Sequence, residues 1–253
     1  MARKRGSKRR RRGRFSFLYK LLAVMTVCVA IVVALTLFFR VEKIVVSGNV
    51  RYTEDEIREA CGVEPDSNMY LMNKFDLQKQ LREKLPYIET VRINRRLPDT
   101  LVVTVTECTH IYAVTQDGVS WVFCGSGRIV DRMEPAEARY LPRVEGCALL
   151  APSVGSTIVI DTEDDKDTRQ ESLLALLEAA DAAGEVGRIS AYHLDNAAYF
   201  AVDYAGRFEV RMPYDADYSY MLAYLARVME QLGSNETGII DLTIRGEAHV
   251  IAN

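Results

Sequence analysis

Residues 38–57 read FFRVEKIVVSGNVRYTEDEI, and two changes of character within them decide the fold. An uncharged run ends at Phe39. Val41–Val46 follow as a strand-like segment, SGN forms a turn, and a short helix begins beyond it. Thr53 has Glu56 three residues later, which is the capping-box pattern. Ile57, Ala60 and Cys61 recur at helical spacing, and Gly62 supplies a stop. A folded module therefore opens within a few residues of an apolar segment.

That segment is LLAVMTVCVAIVVALTLFF, residues 21–39. Nineteen uncharged residues make a helix of roughly 28 Å at ~1.5 Å per residue, close to the ~30 Å hydrocarbon core of a bilayer. A signal-peptide core is shorter, ~7–15 residues, and ends at small residues; here Phe38, Phe39 and Arg40 occupy the exit. A buried soluble helix keeps a polar face, and this run has none. The expectation is a retained membrane span.

Charge is split about this run. Residues 1–14 hold nine basic residues and no acid, whereas residues 41–253 hold 21 basic residues against 35 acidic ones, a net −14 within an overall −3. Lys/Arg excess before a span predicts a cytoplasmic N-terminus and an extracytoplasmic remainder. The basic tail, residues 1–20, reads as a topology signal that rests on anionic lipid. Nucleic-acid binding is not expected, because no aromatic residue precedes Phe15.

Downstream of the first helix, a second runs from about Phe75 to Leu85 with Leu77, Leu81 and Leu85 on one stripe, and Pro86 stops it. IETVRINRR and LVVTVTE are strands around LPDT, a hairpin signature. Residues 40–108 thus read β-α-α-β-β, a two-layer α+β unit. The remainder, 109–253, is richer in strands. THIYAVTQDG, VSWVFCGSGRIVD and RISAYHLDNAAYFAVDYAGRFEVRM alternate strand runs with turns. TRQESLLALLEAADAAG is a helix with Leu173, Leu176, Leu177 and Ala180 buried and Gly184 at its end. DADYSYMLAYLARVMEQLG is another, whose stripe of Tyr218, Met221, Leu222, Leu225, Val228, Met229 and Leu232 reads as core, with Gly233 following. GIIDLTI and AHVIA form a last hairpin across RGE.

The residues offer little catalytic or metal chemistry. His110, His193 and His249 are the only histidines. SAYHLD sets Ser190, His193 and Asp195 close in sequence, but a triad is defined by geometry. DTEDDKD, 161–167, lacks the glycine and glutamate of a calcium loop; Lys166 and Ser172 stand there. GSGRIV lacks the third glycine of a dinucleotide fingerprint. No cofactor and no metal are expected. Cys61, Cys108, Cys124 and Cys147 allow three pairings, and the spacing favours none; buried free thiols are the expectation.

The order of these parts resembles the FtsQ/DivIB family of bacterial cell-division proteins. The residues that carry the resemblance are VEKIVVSGNVRYTEDEIREACGV, LREKLPYIETVRINRRLPDTLVVTVTE, LARVMEQL and IIDLTIRGEAHVIA. The first two are similar to a POTRA domain. The resemblance implies an α+β protein: an N-terminal transmembrane helix (21–39), a POTRA domain (40–108), and a mixed, mostly antiparallel β domain with flanking helices (109–253).

It also implies a non-enzymatic scaffold in the cell membrane, single-pass type II, concentrated at the division septum. Its partners are then the small coiled-coil single-span proteins FtsB (DivIC) and FtsL, with other septal cell-wall synthesis proteins. It places partner binding by strand addition at TIRGEAHV: Thr243, Ile244, Arg245, Gly246, Glu247, Ala248, His249 and Val250. Arg245 would meet an acidic side chain, and Arg245→Glu is expected to weaken partner capture while the domain stays folded. Asn94, Arg95 and Arg96 are a secondary candidate surface. The rival expectation is a POTRA-bearing transport or envelope-assembly factor. Some members carry a polar C-terminal extension; the chain stops at Asn253, so no role for one is expected.

Overall fold

The structure is a computed structural model that describes residues 13–64, 67–162, 167–244 and 246–252, with side chains left out at 13–16 and 35–37. Its first element, α1 (Gly13–Phe38), contains an 18-residue window, Phe17–Ala34, that is long and apolar enough to cross a membrane; none of that window is buried inside the protein. The helix starts well before the uncharged run, because the preceding Phe15–Lys20 has no helix breaker.

Beyond it come β1 (Lys43–Ser47), α2 (Glu54–Cys61), α3 (Lys74–Lys84), β2 (Ile88–Arg96) and β3 (Thr100–Glu107), the β-α-α-β-β order that the sequence predicts. Their sheet runs β1-β3-β2, and β1 lies parallel to β3 from Lys43↔Thr100 to Ser47↔Thr104. Alternation places Leu101, Val103 and Val105 inside, along with Val91 and Ile93 of β2. α2 buries Ile57, Ala60 and Cys61, and α3 buries Leu77 and Leu81.

The start of α2 is held as its sequence dictates. The Glu56 amide donates to Thr53 Oγ1 at 3.3 Å, and the Thr53 amide donates to Glu56 Oε2 at 2.8 Å. The Thr53 amide, then its hydroxyl, hold the Glu56 carboxyl below its ordinary pKa. Gly62 closes the helix at φ 60°, ψ 26°, the left-handed conformation that glycine adopts without a Cβ penalty. Thr53→Ala is expected to lower stability by ~1 kcal/mol in thermal or urea denaturation. Glu56 is the depressed-carboxylate case: its part of the cap is present above its ordinary pKa and is lost as pH falls through the lowered folded value. The Thr53→Ala deficit should therefore shrink in acid.

The rest of the chain forms β4 (Ile111–Gln116), β5 (Val119–Cys124), β6 (Ile129–Met133), α4 (Pro135–Ala138), β7 (Arg143–Glu145), α5 (Arg169–Ala183), β8 (Ile189–His193), β9 (Phe200–Tyr204), β10 (Phe208–Met212), α6 (Tyr218–Gln231), β11 (Gly238–Asp241) and β12 (His249–Ala252). Nine strands form one sheet, β12-β11-β10-β9-β8-β7-β4-β5-β6. Pairing is parallel at β10–β11, β7–β8 and β4–β7 and antiparallel elsewhere. α5 packs against α6. Leu173, Leu176, Leu177 and Ala180 of α5 join Tyr218, Leu222 and Leu225 of α6 in one core with Tyr112, Phe123, Tyr192 and Phe200.

Contacts divide the chain into two compact units: residues up to Lys79 with Arg92–Thr104, and Gln80–Val91 with Val105 onward. In the second unit Arg128 ties the 80–91 segment in place. Its guanidinium donates to the carbonyl of Ile88 at 2.7 Å and to that of Arg82, while the Tyr87 hydroxyl donates to Asp131 at 2.9 Å.

One helix end departs from expectation. Gly184 caps α5 at φ 70° as predicted. α6 instead ends at Leu232 in an extended conformation, φ −89°, ψ 142°. The carbonyls of Gly233 and Ser234 are taken by Arg207 Nη1, at 2.9 and 2.7 Å, which draws the chain out of the helix without a left-handed glycine. Residues 163–166 of the acidic loop lie outside the described residues. Its last member, Asp167, accepts from Arg169 Nε at 2.7 Å, and that bond holds its carboxyl down to about 2. All five cysteines are free thiols.

Candidate partner-binding site

The last two strands are positioned by one glycine. β11 lies parallel to β10, with Phe208 opposite Gly238, and antiparallel to β12, with Ile239 opposite Ile251 and Asp241 opposite His249. Gly238 sits at φ 150°, and a Cβ there would come within 2.0 Å of the Ile251 carbonyl oxygen. Only glycine allows β12 to approach that closely. Gly238→Ala is expected to detach β12, read as faster amide hydrogen exchange at Ile239 and Asp241 with the protection of β8–β10 retained.

The direction of the backbone groups along β12 follows from β11. The amides of Gly238 and Leu242 both donate toward β10, to the carbonyls of Arg207 at 3.2 Å and Arg211 at 2.9 Å. Alternate residues on a strand share a side, so Ile240 faces β10 as well. Ile239 and Asp241 face β12, and through the register His249 and Ile251 face β11. Val250 and Ala252 therefore direct their N–H and C=O groups away from the sheet. β12 is the terminal strand, and all four of its residues are exposed on both faces. This is an unpaired edge of the kind that accepts an added strand.

The candidate residues divide between this strand and the loop before it. His249 and Val250 lie on β12, and Thr243, Ile244, Gly246, Glu247 and Ala248 lie in the connection. Arg245 lies outside the described residues. Ile244 is 53% exposed and Val250 40%, so neither packs inward. The start of the loop is fixed by Asp241, which accepts from the Thr243 amide at 2.9 Å and hydroxyl at 2.6 Å. Burial raises the Asp241 pKa, but these two bonds and Arg211 more than offset it, so the carboxyl stays below its ordinary value and anionic. Glu247 contacts the His249 ring at 3.1 Å.

Sequence reasoning missed Ile251 and Ala252, which belong to the same strand. It also missed a groove beside the loop. This cavity, about 690 Å³, is bounded on one side by Tyr220, Met221 and Tyr224 of α6 and on the other by Thr243, Ile244 and Glu247. The α6 stripe reads as core in the sequence; the structure buries Tyr218, Leu222 and Leu225 but leaves Tyr220 exposed and stacked on Tyr224, with ring centroids 6.2 Å apart. The signal was available in spacing: Tyr220 and Tyr224 stand four residues apart, off the stripe.

The secondary candidates end β2. Arg95 donates to the Met72 carbonyl at 3.0 Å and lies 5.6 Å from the centre of the Tyr70 ring, and Asn94 and Arg96 beside it are exposed. Another cavity, about 610 Å³, is lined by Cys108, Cys124, His110 and the acids Glu89, Glu171, Glu178 and Asp181. The neighbouring Cys108 thiol, then the Ser126 hydroxyl 3.1 Å from Cys124 Sγ, lower the Cys124 pKa, and the pairing pushes Cys108 up. Among the described residues no group of three or more His, Cys, Asp or Glu side chains is arranged to hold a metal. His193 faces Asp203 at 3.2 Å and Glu145 at 3.6 Å.

The elements behind the apolar N-terminal helix run β-α-α-β-β, and residues 39–107, which hold them, match the POTRA domain, FtsQ-type. The chain is 23% identical over 142 residues to the cell division protein DivIB of Clostridium botulinum, covering 56% of this chain and 53% of that protein. It is 27% identical over 207 residues to the cell division protein FtsQ of Syntrophotalea carbinolica, covering 81% and 70%. Against DivIB of Staphylococcus aureus it is 29% identical over 101 residues, covering 40% and 23%. The chain thus spans about half the length of the Clostridium relative. The matched domain and these relatives make the chain similar to the FtsQ and DivIB cell-division proteins.

Proposed function

We propose that this chain is a non-enzymatic cell-division scaffold, anchored by α1 with its basic tail in the cytoplasm and residues 40–253 outside it, and concentrated at the septum. The relatives bear the name cell division protein, and the observation that carries the mechanism is the open, doubly exposed edge of β12. On this reading the POTRA domain (40–108) and the β domain (109–253) dock partners, and β12 accepts a strand from small single-span coiled-coil proteins of the FtsB/DivIC and FtsL type. Two chains held in one membrane meet at an effective concentration on the order of mM, so a short strand contact suffices for complex formation.

Two experiments test the reading. Depleting the protein in its host is expected to give filaments without septa. Loss of outer-membrane proteins with normal septation would instead favour a transport or envelope-assembly factor. Co-purification from solubilised membranes is expected to yield small single-span coiled-coil chains; recovery of the scaffold with none of them would defeat the partner assignment.

A further inference from the structure

The exit of α1 is stitched to a loop of the POTRA domain. The Met69 amide donates to the Phe39 carbonyl at 3.0 Å and the Val41 amide to the Ser67 carbonyl at 2.9 Å, with Arg40 and Asn68 forming an antiparallel bridge between them. The Phe39 ring meets Tyr70 edge-on with centroids 5.2 Å apart, and Phe38 meets Phe39 at 5.6 Å.

The loop itself is rigidly built. Asn68 Oδ1 accepts from the amides of Tyr70 and Leu71 at 2.8 and 3.2 Å, and Asn73 Oδ1 accepts from the Phe75 amide at 3.1 Å. Met69 is buried beneath the loop, but Leu71 is 80% exposed and Phe75 67%, and Phe38 at the end of α1 is 70% exposed. Residues 67–75, SNMYLMNKF, contain no acid. Lys74 lies over the Phe75 ring at 5.3 Å, and Arg95 lies over Tyr70. In the sequence, acids flank this stretch at Glu42, Glu64, Asp66 and Asp76.

We propose that Tyr70, Leu71 and Phe75, with Lys74 and Arg95, form a second membrane contact that docks this loop into the headgroup layer of the leaflet from which α1 emerges. The inference rests on α1 being an embedded anchor. Connectivity then selects the bilayer over a protein partner. Phe39 follows the last residue of α1 by one ~3.8 Å step. Tyr70 touches Phe39, so the loop begins at the level of the span's end. The headgroup layer is ~5–8 Å deep on each side, by the difference between the full bilayer and its hydrocarbon core. An aromatic, apolar and cationic surface suits that layer: tyrosine rings sit at the membrane–water interface, leucine and phenylalanine gain ~25 cal/mol per Å² of apolar area removed from water, and each Lys or Arg near an anionic surface is drawn to it. The contact fixes the tilt of the POTRA unit on its anchor.

The test uses the full chain reconstituted in vesicles of phosphatidylethanolamine and phosphatidylglycerol, with brominated acyl chains as quencher. The native Trp121 is replaced (Trp121→Phe), and a single tryptophan is returned as Phe38→Trp or Leu71→Trp. Both reporters are expected to be quenched to a comparable fraction. Quenching of Phe38→Trp with Leu71→Trp unquenched would overturn the loop contact and leave the anchor standing. Absence of quenching at both would overturn the anchor and the loop contact together.

Discussion

Phe200→Ala is expected to lower the unfolding free energy of the β domain by ~3–5 kcal/mol, the range for removing a buried phenylalanine from a packed core. Phe200 is fully buried. Its ring stacks on Tyr192 and Tyr214, with centroids at 6.4 and 6.0 Å, and meets Tyr218 edge-on at 6.2 Å. Each such pair contributes ~0.5–1.5 kcal/mol beyond area burial. Tyr192 comes from β8 and Tyr218 from α6, so one truncation loosens the sheet and the helix that covers it. Domains of this size are stable by only ~5–15 kcal/mol, and the loss corresponds to a fall of roughly 6–20 °C in Tm. Leu150, which is exposed, is the control: Leu150→Ala should stay within ~0.5 kcal/mol. Thermal unfolding of the detergent-solubilised chain reads both. An equal, small shift for the two variants would show that the aromatic cluster is not the centre of the core. Phe200 is also paired with Met212 on β10, and β10 carries β11 and β12. Partner capture measured on Phe200→Ala above its Tm should therefore be lost together with the fold, and capture below it retained.

Much of this architecture is legible in the sequence, because it is local. Thr53 and Glu56 close their box within four residues, Leu77 and Leu81 are one turn apart, and Leu101, Val103 and Val105 alternate in one strand. What was not legible depends on distant pairing. β7 has three residues, Arg143–Glu145, too few for an alternation to show, yet it separates β4 from β8 and makes both junctions parallel. Without β7 the strand order of the sheet cannot be derived. The candidate site divides the same way. A terminal hairpin is readable from IIDLTIRGEAHVIA. Which residues of β12 face outward is not, because that is set by the amides of Gly238 and Leu242 bonding to β10, a contact made with residues 31 positions earlier in the chain in each case. Tyr220 and Tyr224 were legible as residues off the α6 stripe, but that they face the loop before β12 was not, because the loop is brought there by the pairing of β11 with β10.

Val250→Pro is expected to reduce recovery of the proposed single-span partner chains at least tenfold while leaving the domain folded. The argument rests on the free edge. The Val250 amide points away from β11, so proline there removes no bond within the sheet, and edge strands tolerate proline. An added strand would lose one backbone hydrogen bond, net ~0.5–1.5 kcal/mol, and would leave its own carbonyl buried without a donor, ~1–3 kcal/mol more. Together these reach or exceed the ~1.4 kcal/mol that makes a tenfold change in affinity. The neighbouring substitution separates binding from folding. The Ile251 amide faces Ile239, so Ile251→Pro breaks a bond of the native sheet and is expected to lower stability and binding together, as Gly238→Ala does. Hydrogen exchange at Ile239 reads the fold in each variant, and affinity purification from membranes reads the partner. If Val250→Pro and Ile251→Pro lose binding only in proportion to the loss of β12 protection, the edge acts through its structure. If Val250→Pro keeps full binding with its strand intact, no partner strand is added at β12, and the stacked Tyr220 and Tyr224 groove becomes the surface on which the complex must be sought.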